Sequence, residues 1–263
     1  MNLTVQGKGA FAYAAAHEYD AAKRTIVFIH GAGLDHSGWG LQSRYFGYHG
    51  YNVLALDLPA HGRSDGPALA TIGDMADWVK TFLDERKIPS AALVGHSMGS
   101  LISLEFAARH PEMTEKIALI GIAFPMKVGE AFLDAAKRND TAAFDMETIW
   151  GHAAQVPFSG NPNPGMWMYG DTLARLGRLA PGVLHTDLSA CNAYADGMEA
   201  AAKIRCPALF ILGARDMMTP PKAAQELARA IAGSKTLTLA PSGHSLMAEA
   251  PDATLDALIG FLG

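Results

Sequence analysis

The pentapeptide Gly95-His96-Ser97-Met98-Gly99 sets a serine between two glycines, directly after the apolar run Ala91 to Val94 and ahead of a helical pattern that reaches Arg109. A serine on a sharp strand-to-helix turn projects its hydroxyl out of a sheet, and the strained backbone there needs neighbours without bulky side chains. A simple packing turn would use the same five residues, so it is the flanking strand and helix patterns that favour a nucleophile. The helix opening at Met98 also aims unpaired N–H groups and the positive end of its dipole at the space beside the serine, where a forming anion would be stabilised.

A serine hydroxyl is scarcely nucleophilic until a base removes its proton, so a histidine and a group to orient it are required. Asp216 lies just past the apolar run Ala208 to Leu212, and His244 just past Leu237-Thr238-Leu239, in the order Ser, Asp, His. Asp216 also reads as a turn-forming or helix-capping aspartate ahead of Thr219-Pro220-Pro221. No rival carboxylate follows the run Ile117 to Ile120, where the next residues are Gly121-Ile122-Ala123-Phe124, which favours Asp216. Of ten histidines, His244 occupies the loop after the last strand, preceded by a glycine that lets its ring approach the serine; the alternative is a histidine that caps a nearby loop. His96 is next to the serine in sequence, which points its ring away from the hydroxyl, and it reads as a packing residue.

These side chains need a frame. Thr25 to Ile29, Val53 to Leu56, Ala91 to Val94, Ile117 to Ile120, Ala208 to Leu212 and Leu237 to Leu239 read as strands, most of them apolar on both faces as in the centre of a parallel sheet. Helical spacing runs over Ile72 to Arg86, Met98 to Arg109, Pro221 to Ile231 and Asp252 to Leu262. The alternation predicts an α/β fold, a mostly parallel central sheet flanked by helices, with ligands at the carboxyl ends of the strands. The rhythm fails from about Phe124 to Ala200, where Pro157, Pro162, Pro164, Gly165, Pro181 and Gly182 punctuate short helical patterns. The expected organisation is a core of residues 1–123 and 201–263 with an inserted helical cap at 124–200. Trp150, Met166, Trp167, Met168 and Tyr169 either wall an apolar pocket or seal the cap against the core. Gly33, Phe124, Trp150, Trp167 and Met168 are the expected pocket residues.

The length of 263 residues suits one large core, or a core plus a lid. With 49% apolar and 18% charged residues the chain is globular, and a net charge of −5 without a long basic run argues against nucleic acid as a partner. The amino terminus lacks an export-signal pattern, and Ala91 to Ala108 is too interrupted by polar residues to span a membrane. Cys191 and Cys206 have no metal-ligand or redox spacing and read as reduced side chains. A soluble, cytoplasmic protein acting on a small molecule is expected, with homo-oligomerisation left open.

At these residues the sequence resembles the α/β-hydrolase superfamily, in particular its capped serine esterases, lactonases and cofactor-free haloperoxidase-like enzymes, from His30 to Phe261. The resemblance is also carried by His30-Gly31-Ala32-Gly33, similar to the family's oxyanion loop, and by Asp57-Leu58-Pro59-Ala60-His61-Gly62-Arg63-Ser64-Asp65, where Ala60 replaces a usual glycine. It implies that the backbone N–H groups of Ala32 and Met98 form an oxyanion hole and that neither a metal nor an organic cofactor is used. Serine at 97 separates the chain from haloalkane dehalogenases and epoxide hydrolases, which place an aspartate there. The implied activity is hydrolysis of a small or medium carboxylic ester or lactone through an acyl-enzyme. Related families cleave a carbon-carbon bond in keto acids, for which Lys127, Lys137, Arg138, Arg175 and Arg178 offer cations that could equally be solvated. A ligand-binding protein that has lost turnover is the third reading.

Overall fold

The computed structural model describes residues 1–15, 17–153 and 165–263; Pro157, Pro162 and Pro164 lie outside the described residues. Among these residues eight strands form one sheet: β1 (Asn2–Val5), β2 (Lys8–Tyr13), β3 (Thr25–Ile29), β4 (Asn52–Asp57), β5 (Ala91–His96), β6 (Thr114–Ile120), β7 (Ala208–Gly213) and β8 (Lys235–Leu239). The spatial order is β1-β2-β4-β3-β5-β6-β7-β8, antiparallel at β1 and β2 and parallel from β4 to β8. The six expected strands are present, each within a few residues of its expected ends.

The sheet holds together because its central strands are apolar on both faces. Along β3, Val27 and Ile29 join one core cluster while Ile26 and Phe28 join the other, following the two-residue period of a strand. Helices α1 (Gly40–Tyr48), α2 (Ile72–Glu85) and α3 (Met98–Arg109) cover the two faces, with α2 and α3 packed together on one and α1 on the other. Thr71 begins α2 by accepting a hydrogen bond from the Asp74 N–H at 3.0 Å, and the buried stripe of Ile72, Met75, Ala76, Val79, Phe82 and Leu83 recurs at helical spacing. Burial of each such side chain contributes roughly 1.5–3 kcal/mol. At the far edge, β8 is exposed at four of its five residues.

Between β6 and β7 come α4 (Glu130–Lys137), α5 (Thr141–Trp150), α6 (Met168–Leu176), α7 (Val183–Ala193) and α8 (Gly197–Lys203). The first four pack largely on one another, with α7 also touching α3. Helix α8 packs on α3 and on α9 (Gln225–Ala230), so residue 200 falls inside a helix that lies against the helices flanking the sheet. The chain ends in α10 (Leu246–Glu249) and α11 (Pro251–Leu262).

Neither β1 and β2 nor α1 follows from the sequence patterns. The first two strands are short and half polar, and α1 carries two glycines and a weak apolar stripe. No helix among the described residues is long and apolar enough to cross a membrane. Both cysteines are free.

Candidate active site

Ser97, between β5 and α3, takes φ 52° and ψ −117°, a conformation that costs a side-chain-bearing residue energy and is paid for by its surroundings. Its N–H donates to the Ile120 carbonyl at 2.8 Å, and the Ser100 hydroxyl bonds the Gly95 carbonyl at 2.7 Å. The flanking glycines are required by space. A Cβ on Gly95 would stand 2.1 Å from the Gly99 carbonyl oxygen, and one on Gly99 would stand 2.2 Å from the Ile29 oxygen. Ser97 itself is half-buried on a wall of a cavity of about 220 Å³ that it shares with Ala32, Glu147, Trp150, Leu188 and Met218.

His244 and Asp216, 28 positions apart in sequence, meet in space: His244 Nδ1 lies 2.7 Å from Asp216 Oδ2, and both residues are buried. The other carboxylate oxygen accepts the N–H groups of Met218 at 2.9 Å and Thr219 at 2.7 Å. The capping and histidine-orienting readings of Asp216 are thus both realised, one on each oxygen. Burial acts to lower the His244 pKa, but the Asp216 charge and hydrogen bond outweigh it and hold the ring above the ordinary histidine value. The same pairing holds Asp216 below the usual carboxylate range despite its burial. With Nδ1 engaged, Nε2 is the nitrogen left to take a proton; it is buried and has no hydrogen-bond partner among the described residues.

Several residues to which the sequence reading gave no part in the site, His96 among them as a packing residue, complete this arrangement. The Thr219 hydroxyl lies 2.7 Å from Asp216 Oδ2, 2.9 Å from the Gly121 carbonyl oxygen and 3.0 Å from His244 Nδ1. Gly121 gives the imidazole its room, since a Cβ there would lie 3.1 Å from the His244 ring. His96 Nε2 lies 2.9 Å from the His244 carbonyl oxygen and the two rings are 4.7 Å apart, so the residue next to Ser97 anchors the His244 loop. Burial, reinforced by the nearby His244, pulls the His96 pKa down to about 3, so its ring is neutral and donates through Nε2. Threonine after an aspartate and histidine before a serine carry no distinctive sequence signal, and only their packing exposes these contacts.

Ala32 and Met98 are buried, one after β3 and the other next to Ser97 at the opening of α3. Among the described residues neither N–H donates a hydrogen bond, and first-turn amides such as Met98's have no acceptor within their own helix. Ala60 holds φ 70° in place of the expected glycine, so the turn after β4 keeps its left-handed residue at a cost of roughly 1–2 kcal/mol.

Of the expected pocket residues, Trp150 lines the Ser97 cavity, and Met168 lines a second cavity of about 240 Å³ that includes His244, Arg44, His152 and Arg175. Glu147 on α5 lies in the wall of both. The other three line neither: Gly33 is enclosed by Leu176 and Leu184, Phe124 packs on Gly197 and Tyr194, and Trp167 is 73% exposed with its ring over Gly170. Of the candidate cations, Lys127 lines the Ser97 cavity, whereas Arg175 pairs with Asp171 and Arg178 with Asp35.

The model of the alpha/beta hydrolase family matches residues 26–257. The chain is 25% identical, over 94% of each protein, to the (E)-2-((N-methylformamido)methylene)succinate hydrolase of Acinetobacter baylyi. It is 26% identical to the 2-hydroxy-6-oxononadienedioate/2-hydroxy-6-oxononatrienedioate hydrolase of Klebsiella pneumoniae, over 91% of this chain and 87% of that one. Among solved structures it superposes on the enol-lactonase of Burkholderia xenovorans with a TM-score of 0.87, at 25% identity over 100% of this chain and 99% of the other.

Proposed function

The chain belongs to the alpha/beta hydrolase family, and within it we propose a serine hydrolase that cleaves a small carboxylic ester or lactone through an acyl-enzyme. The observation that carries this reading is the buried 2.7 Å pairing of His244 with Asp216 beside the strained turn of Ser97. In the proposed reaction Ser97 Oγ attacks the substrate carbonyl carbon while His244 Nε2 takes the hydroxyl proton and Asp216 stabilises the imidazolium. The Ala32 and Met98 N–H groups receive the developing oxyanion. Collapse expels the alcohol, protonated by His244, and water activated by the same ring then releases the acid.

A small substrate fits the roughly 220 Å³ beside Ser97, which lies below the about 300–1,000 Å³ of drug-sized ligand pockets. In this reading residues 124–200 serve as the cap that forms the outer wall. Carbon-carbon cleavage of a keto acid is less well served, because the only cation on the Ser97 cavity among the described residues is the exposed Lys127, whose ammonium lies 3.5 Å from the Asn192 carbonyl oxygen.

Labelling with a fluorophosphonate, together with a panel of esters, lactones and keto acids, tests the proposal. Ser97→Ala is expected to fold, to lose the label and to lower kcat by on the order of 10⁶. A folded Ser97→Ala protein that turns over the best ester at the parental rate would refute it.

A further inference from the structure

The loop after β3 is held from both sides of Ala32 by buried side chains. It forms a turn in which the Leu34 N–H donates to the Gly31 carbonyl at 3.2 Å, so Ala32 and Gly33 are its central residues. Gly33, at φ 65°, donates its N–H to Asp187 Oδ2 at 2.9 Å, across 154 residues of sequence. On the other side, His30 Nδ1 lies 2.8 Å from the Gly31 carbonyl oxygen and donates to it.

Asp187 sits on α7 of the inserted helices and is itself held by His61 of the loop after β4. His61 Nε2 lies 2.8 Å from the same Oδ2, and His61 Nδ1 lies 3.0 Å from the Pro59 carbonyl oxygen. Both ring nitrogens face acceptors, so both must carry protons, and the pair is an imidazolium on a carboxylate. Its two members are 1% and 0% exposed. Burial acts to lower the His61 pKa, but the Asp187 charge and hydrogen bond outweigh it, consistent with that assignment.

We propose that Asp187, braced by His61, is a positioning residue that ties the Gly31–Leu34 turn to the inserted helices through the Gly33 N–H and so holds in place the loop that carries the Ala32 N–H, which makes the inserted helices part of the oxyanion machinery as well as a wall of the pocket. This rests on the reading of Ala32 as an oxyanion donor. A buried carboxylate that accepts a main-chain N–H and a charged ring at one oxygen is costly to desolvate, and such a group is retained where it fixes geometry.

The test compares Asp187→Ala, Asp187→Asn and His61→Gln with the parent, each checked for cooperative unfolding, on a p-nitrophenyl ester and with a trifluoromethyl ketone that mimics the tetrahedral intermediate. Removing one oxyanion donor outright lowers kcat by about 10² to 10³, so loss of its support is expected to cost roughly 10- to 100-fold in kcat. KM is expected to stay within about threefold, and ketone affinity to fall in parallel with kcat, since both report on the oxyanion rather than on ground-state binding. Asp187→Asn, which keeps an acceptor for the Gly33 N–H, is expected to recover part of what Asp187→Ala loses. If Asp187→Ala does not fold, Asp187→Asn and His61→Gln carry the same comparison. Folded variants with parental kcat and ketone affinity, or with losses confined to KM, would overturn the proposal. An active Ser97→Ala protein would instead overturn the functional reading beneath it, so the two failures are distinguishable.

Discussion

Replacing Glu147 by glutamine removes a carboxyl group that the fold buries without an ion-pair partner among the described residues. The residue is 8% exposed, its Oε2 has no hydrogen-bond partner among the described residues, and burial, only partly offset by the His244 charge, pushes its pKa from 4.5 up to about 7. The unfolded chain therefore releases this proton near pH 4.5, whereas the folded chain keeps it until about pH 7. Across that window the folded state binds the extra proton, so stability falls as pH rises, by about 1.4 kcal/mol per unit. Between pH 5 and pH 8 the loss amounts to about 2–3 kcal/mol in the parent, and Glu147→Gln does not suffer it. Urea unfolding followed by tryptophan fluorescence at the two pH values should show the variant gaining that amount on the parent as pH is raised, or roughly 5 °C in Tm. The Glu147 charge is also one of the groups that hold the His244 pKa up, so the acid limb of kcat/KM should move to lower pH in the variant. A stability difference that is the same at pH 5 and pH 8, or a variant that loses ground at pH 8, would refute the reasoning.

In the parent, kcat/KM should rise with pH along a limb whose midpoint lies above 6.5, because the proposed base must be neutral and Asp216 holds its proton on; a flat profile from about pH 5 to 9 would exclude it. Asp216→Asn should fold and lose on the order of 10⁴ in kcat, as measured by steady-state ester hydrolysis, since it removes the charge that orients and stabilises the imidazolium. Met98→Ala should keep kcat within a few-fold, because the proposed donor belongs to the main chain. It should nonetheless lower stability by about 2–5 kcal/mol in urea titration, since the Met98 side chain is fully buried. Gly99→Ala would drive a methyl group into the Ile29 and His30 carbonyl oxygens, at 2.2 and 2.7 Å, and should yield no cooperatively folded protein by circular dichroism.

Much of the frame was legible because its signals are local. Strands β3 to β7 each contain a continuous apolar run, and α2, α3 and α11 show helical spacing, so each declares itself within a dozen residues. The hairpin of β1 and β2 did not, because it lies at the sheet edge and mixes lysine, glycine and threonine with its apolar residues. Ser97, Asp216 and His244 could be singled out from sequence as candidates because each follows a recognisable strand, and parallel strands deliver the loops at their carboxyl ends to one side of a sheet. The pocket was less legible: Trp150 and Met168 reach the cavities, while Trp167 lies on the surface, since an apolar residue in a short helix gives no sign of which way its face turns once neighbouring helices pack.

By itself, then, the chain order of apolar runs and turns determined the sheet, the strained serine and the loops on which its partners must sit. Tertiary structure alone decided that Thr219 backs the Asp216 carboxylate, that Asp187 reaches Gly33 across 154 residues, and that Glu147 Oε2 is buried with no hydrogen-bond partner among the described residues. Secondary structure is written by neighbours along the chain, whereas hydrogen-bond partners and the cost of burying a charge depend on distances through space, which no local pattern encodes.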